Sequence, residues 1–131
     1  MKTYGFGIIG CGMISDFHSA AIADIKNGKL VAVSSRKAEN SQRLVDRYSI
    51  QAYSDYNEML NRDDIDIVCI CTPSGAHMEP AVAAAEAGKH VIIEKPLEIT
   101  LERCDAIIES CEKANVRLCA IFNSRFSDAS Q

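Results

Sequence analysis

Apolar residues recur along the chain in two alternating rhythms: short continuous runs of strand length, and longer stretches in which they return at helical spacing. The runs 4–9, 29–34, 51–53, 65–71, 90–93 and 117–122 predict strands, and the stretches 14–25, 39–48, 56–61, 78–87 and 101–114 predict helices. In the first helix Ile14, Phe17, Ala21 and Ile25 share a face; in the last the inner stripe reads Leu101, Cys104, Ile108 and Cys111. Thr100 is placed to cap that last helix, and Gly88 to end the alanine-rich one. The run 65–71 is so apolar that both of its faces must be covered, as in the middle of a sheet flanked by helices. Regular alternation of strand and helix predicts an α/β fold: a doubly wound, mainly parallel six-stranded sheet with crossover helices.

At 131 residues, 47% of them hydrophobic, the chain can bury one core and is too short for two ordinary domains. Residues 1–122 read as one domain and the polar stretch 123–131 as the start of a connection to another. No apolar stretch nears the ~20 residues of a membrane-spanning helix. The apolar start is broken by Gly5, Gly7, Gly10 and Gly12, so it reads as a strand and turn instead of a leader. A soluble, cytoplasmic protein is expected. A net charge of −4 without a basic cluster argues against nucleic acid as a partner. Cys69, Cys71 and Cys119 fall in strands and Cys104 and Cys111 on a helix face, which predicts buried reduced thiols instead of a disulfide framework. No Cys-x-x-Cys pair occurs and His18, His77 and His90 are scattered, so no metal is expected.

The chemistry starts directly after the first strand, at Gly10-Cys11-Gly12-Met13-Ile14-Ser15. This is the G-x-G-x-x-small form of the dinucleotide fingerprint. Gly10 permits the tight turn, Gly12 lets a pyrophosphate approach the backbone, and Ser15 allows close packing of helix on strand. The helix that follows points its amides and positive dipole end at that pyrophosphate. Enzymes that use S-adenosylmethionine carry similar loops, so the loop alone does not name the ligand.

The end of the second strand refines the choice. An NAD site normally carries an acidic residue there, accepting from the ribose hydroxyls. This chain has Ser35, Arg36 and Lys37 instead: a neutral hydroxyl, a guanidinium fit for bidentate phosphate contact, and a second cation. That favours NADP over NAD. The same charges also suit a solvated turn, and an arginine stacked on adenine would serve both cofactors.

Two more motifs lie at predicted strand ends: Thr72-Pro73-Ser74 with His77 close behind, and Glu94-Lys95-Pro96. With the glycine loop they resemble the glucose-fructose oxidoreductase/inositol dehydrogenase/MocA family, over essentially the whole chain. The resemblance implies a Rossmann domain that binds NAD or NADP, taken from an oxidoreductase acting on a CH–OH group of a sugar, polyol or sugar derivative. It assigns Lys95 to catalysis beside the nicotinamide and the substrate carbon, and Thr72, Pro73 and Ser74 to the cofactor; Glu94 either counterbalances the lysine's charge or binds a ribose hydroxyl of the cofactor. His77 either touches the nicotinamide end or is structural. Arg125 corresponds to an arginine near the substrate or the domain boundary. The family's second α+β domain, with its substrate-holding groups and oligomer contacts, is absent from this chain. The fragment is therefore expected to bind cofactor without turnover, with self-association possible. Two alternatives stay open: a non-catalytic dinucleotide-binding regulatory module, and a relative that cleaves glycosidic bonds using bound NAD transiently.

Overall fold

The computed structural model describes residues 2–73, 75–94, 98 and 100–121. The expectations for Ser74, Lys95, Pro96 and Arg125, and for the segment 123–131, fall outside these residues. The elements run β1 (Tyr4–Ile9), α1 (Met13–Asp24), β2 (Gly28–Ser34), α2 (Ala38–Tyr48), β3 (Gln51–Tyr53), α3 (Tyr56–Leu60), β4 (Ile67–Ile70), α4 (Met78–Glu86), β5 (His90–Ile93), α5 (Leu101–Ala114) and β6 (Leu118–Ala120). All neighbouring strands are parallel, in the order β3-β2-β1-β4-β5-β6. The fold is the doubly wound Rossmann sheet that alternating periodicity predicted.

Right-handed crossovers that run outward from β1 in one direction and from β4 in the other place helices on opposite faces. The core divides accordingly. Ile22 of α1 and Leu44 of α2 pack with Phe6, Ile8, Val33 and Cys69 on one face. Met59, Leu60, Ala81, Ala84, Ile107 and Cys111, from α3, α4 and α5, pack with Ile9, Val68 and Ile70 on the other. β4 thus contributes Cys69 to one layer and Val68 and Ile70 to the other, the two-sided burial its sequence required. Thr100 caps α5 by accepting from the Arg103 amide at 3.2 Å. Gly88, at φ +80°, ends the turn after α4.

Two helix faces differ from expectation. In α1 the buried residues are Ser15, Ser19 and Ile22, while Phe17 is 65% exposed and Ile25 is exposed too. The small serines let the helix lie close to the sheet. Their hydroxyls turn back to the carbonyls of Gly12 and Ser15, so burial leaves no polar group stranded. In α5 the packed residues are Ile107 and Cys111, whereas Leu101 is 82% exposed and Ile108 also faces outward. Contact with α4 selects the neighbouring stripe. All six cysteines are free thiols; Cys119 is exposed, against the expectation of a buried one, because it sits on the edge strand β6. No helix among the described residues is long and apolar enough to cross a membrane.

Candidate functional site at the carboxyl edge of the sheet

Strand register brings the separate motifs together. Ile9 pairs with Ser34 on one side and with Ile70 on the other, and Ile70 pairs with Ile93. The chain therefore leaves β1, β2, β4 and β5 at one level, through Gly10, Ser35, Cys71 and Glu94. Backbone bonds hold the exits: Gly10 N to Ser34 O (2.9 Å), Cys71 N to Ile9 O (2.8 Å) and Glu94 N to Ile70 O (3.2 Å). The winding reverses between β1 and β4, which opens a crevice at the carboxyl ends of the strands.

The two fingerprint glycines serve different ends. Gly10 has φ +96°, and a Cβ there would lie 2.7 Å from the carbonyl carbon of Cys71 and 2.8 Å from the amide nitrogen of Thr72. Its absence of a side chain is required by the chain itself. Gly12 has ordinary extended backbone, φ −78° and ψ −168°, and a Cβ there would meet nothing within 4 Å. No side chain caps α1 at this point. Open space thus adjoins an uncapped helix start, an arrangement that fits the phosphates of a dinucleotide. Cys11 between them turns inward, its Sγ 3.5 Å from the Ser34 carbonyl, so only its backbone faces the loop.

A cation that motif reading did not single out secures this loop. Arg43 on α2 donates from Nη2 to the carbonyls of Cys11 and Gly12, both at 2.9 Å, and to Ser15 Oγ at 3.2 Å. Its Nε donates to the Asp16 carboxylate and its Nη1 to the Asn40 carbonyl. At the end of β2, Ser35 donates its amide to Tyr53 O at 3.0 Å and its Oγ accepts from the Lys37 amide at 3.3 Å. Arg36 and Lys37 are exposed at the start of α2 and form no ion pair among the described residues.

The β4–β5 side is built differently. Thr72 Oγ1 donates to Ala76 O at 2.9 Å, and the Ala76 amide donates to Pro73 O at 3.0 Å, closing the turn. His77 is only 1% exposed, and its Nε2 lies 2.8 Å from the Thr72 carbonyl. A carbonyl can only accept, so this nitrogen carries the proton. The ring braces the turn from beneath. Glu98, its side chain fully buried, accepts from the His77 and Met78 amides at 3.1 and 2.8 Å and pairs with Arg103 at 3.2 Å. Arg103 also reaches Gly75 O and Glu79, and its guanidinium holds the Glu79 carboxyl below the usual carboxylate range. Glu94 meets His18 of α1 at 2.8 Å, on the wall of an open groove lined also by Ile14, Phe17, Ala21 and Ile121.

Sequence reasoning missed Arg43, Glu98 and Arg103, and considered His18 only as a metal ligand. Burial disfavours the thiolate form of the cysteines nearby. Burial pushes Cys11 up to about 11 and Cys69 up to about 12, and raises Cys71 as well. No group of three or more His, Cys, Asp or Glu among the described residues is arranged to hold a metal.

A parallel sheet in this order, with a glycine loop opening the helix at its switch point, defines a dinucleotide-binding Rossmann domain. Residues 4–122 match the GFO_IDH_MocA family, an oxidoreductase family with an NAD-binding Rossmann fold, and the chain belongs to it. It is 38% identical to inositol 2-dehydrogenase of Salmonella typhimurium over 88% of this chain and 35% of that protein. It is 34% identical to myo-inositol 2-dehydrogenase of Thermotoga maritima, over 92% of this chain and 36% of the relative. Among solved structures, the WlbA dehydrogenase of Bordetella pertussis, in complex with NADH and UDP-GlcNAcA, superposes with a TM-score of 0.95 at 31% identity. That superposition covers 100% of this chain and 40% of the other. The chain spans 35–40% of the length of these three proteins.

Proposed function

We propose that the chain is the cofactor-binding domain, residues 1–122, of a dehydrogenase that transfers hydride between a CH–OH group of a sugar, polyol or sugar derivative and NADP or NAD. Gly12 carries the reading. Glycine there is unneeded by the fold, yet the space beside it, at an uncapped helix start, is what an approaching pyrophosphate requires. The named dehydrogenase relatives, two of them acting on inositol, support the reaction class.

In this reading the Gly10, Cys11, Gly12, Met13 and Ile14 backbone holds the pyrophosphate, while Arg43 keeps the loop carbonyls turned away from it. Ser35, Arg36 and Lys37 take the adenosine ribose, with Arg36 and Lys37, which form no ion pair among the described residues, favouring a 2′-phosphate. Thr72, Pro73, Ser74 and Glu94 line the other half, with His77 supporting the turn. The bound nicotinamide supplies the hydride acceptor. Lys95, next in the chain to Glu94, polarises the substrate hydroxyl and relays its proton. A free lysine titrates near ~10.4, so this role requires surroundings that disfavour the charged form. Arg125 is assigned to the substrate side.

Calorimetric titration with NADPH and NADH, repeated on Arg36→Ala, tests the assignment. A charge-assisted phosphate contact contributes roughly 1.5–3 kcal/mol, so NADPH is expected to bind about one to two decades tighter, with the variant abolishing the difference. Equal affinities would refute the NADP preference. Absence of binding by either at millimolar concentration would refute the site.

A further inference from the structure

The groove beside the glycine loop has a volume of about 320 Å³ and walls of Ile14, Phe17, Ala21 and Ile121, broken by one polar pair, His18 and Glu94. The two side chains are 10% and 12% exposed, and His18 Nε2 lies 2.8 Å from Glu94 Oε2. A carboxylate oxygen accepts, so the ring nitrogen donates, in the geometry of a charge-assisted bond. Such a bond is strongest where apolar neighbours exclude water.

Glu94 Oε1, by contrast, accepts no hydrogen bond among the described residues. His18 therefore claims one oxygen of a residue that lines the groove and leaves the other without a hydrogen bond among the described residues. The pair also links two elements of the site that are 76 positions apart in sequence: the helix opened by the glycine loop and the end of β5.

Position says which part of a ligand this link serves. A dinucleotide crossing the switch point with its adenosine ribose at the end of β2 has its other half over β4 and β5. Glu94 closes β5, on that second side.

We propose that His18 is a positioning residue for the nicotinamide half. By holding Glu94 Oε2 it fixes the Glu94 side chain at the end of β5 and leaves Oε1 for the ligand. The proposal rests on the dinucleotide reading above and adds to it that α1, assigned there only a phosphate-binding start, also organises the reacting end.

Ligands with and without nicotinamide separate this from a purely structural role. NADPH is compared with 2′-phospho-ADP-ribose, and NADH with ADP-ribose, on the wild type, His18→Ala and His18→Gln. The alanine variant is expected to weaken the dinucleotides about tenfold while the nicotinamide-free fragments stay within about twofold. The rise in reduced-nicotinamide fluorescence on binding should fall in parallel. Glutamine, whose amide can donate to the same oxygen, should restore most of the loss. Equal weakening of dinucleotide and fragment would show that the pair merely holds α1, and unchanged binding of all four ligands would show that it does nothing for them; either overturns the proposal. Should His18→Ala fail to fold, as judged by circular dichroism, His18→Gln and Glu94→Ala carry the same comparison: the first near wild type, the second with the dinucleotide-specific loss. Wild-type protein that binds fragment but gains nothing from nicotinamide overturns the positioning role alone. Protein that binds none of the four removes the dinucleotide reading as well.

Discussion

The two halves of the carboxyl edge are made of opposite materials. At the β2 end the candidate recognition groups, Arg36 and Lys37, are exposed and form no ion pair among the described residues. At the β4–β5 end the polar groups are buried and mutually engaged: His77 under Thr72, Glu98 under the start of α4, Glu94 against His18. An exposed cation can be exchanged at the cost of affinity alone. A buried carboxylate that satisfies backbone amides is part of the fold as well as of the site. Changes of adenosine-end preference should therefore be cheap for this scaffold, and changes around the second half costly.

The largest effects should come from breaking the shared framework. Gly10→Ala introduces a Cβ into contact with the Cys71–Thr72 backbone at a positive φ. Steric strain and overpacking together should cost about 3 kcal/mol or more, read as a loss of unfolding free energy in urea. Gly12→Ala meets no atom of the chain, so its stability should stay within about 0.5 kcal/mol of the parent. Its dinucleotide affinity should nevertheless fall about tenfold or more. A Gly12→Ala protein that binds normally would remove the chief support for the phosphate position.

Next, Glu98→Ala strips the acceptor from two backbone amides and leaves Arg103 without its buried partner. A loss of about 2–3 kcal/mol is expected, equivalent to a melting temperature about 10 °C lower. Arg36→Ala should leave the melting temperature within about 1 °C. If the two variants melt alike, the contrast between the halves is wrong.

A smaller effect probes the link between α2 and the glycine loop on the adenosine side. Arg43 touches the glycine-loop carbonyls but not Ser35, Arg36 or Lys37 in any hydrogen bond of the described residues. Arg43→Ala should weaken NADH and NADPH by the same factor, about three- to tenfold, leaving their ratio untouched. A changed ratio would make Arg43 a reader of the 2′ position.

How much of this was legible beforehand follows from sequence distance. Strand and helix limits emerged within a few residues because periodicity, Thr100 and Gly88 act locally. That the motifs meet at one edge was legible because each follows a strand end, and a parallel sheet necessarily gathers strand ends. Helix faces were harder. Counting apolar residues selected Phe17 and Leu101, whereas close approach to the sheet required Ser15 and Ser19, and contact with α4 required Ile107. The bracing network could not be read at all, since Arg43–Cys11, Glu98–His77 and His18–Glu94 join residues 32, 21 and 76 positions apart without local pattern. Lys95 and Arg125 lie outside the described residues, and their assignment rests on motif alone.

The smallest expected effect concerns acid. The guanidinium of Arg103 lowers the Glu79 carboxyl from its ordinary value of 4.5, chiefly through their hydrogen bond, and Arg62 likewise lowers Asp64 from 3.8. A carboxyl depressed in the folded state binds its proton more readily when unfolded, so it adds stability above the unfolded value and loses it as pH falls through the folded one. The two carboxylates are 53% and 52% exposed, and screening by water keeps their contributions small. Thermal melts of the parent and Glu79→Gln should therefore differ by only about 1–2 °C at pH 7 and converge as the pH drops below 4.5. Because Arg103 would still hold Glu98 in the variant, a much larger difference at neutral pH would mean that Glu79 and Glu98 act as one unit, and that the buried character of the β4–β5 half extends to its surface.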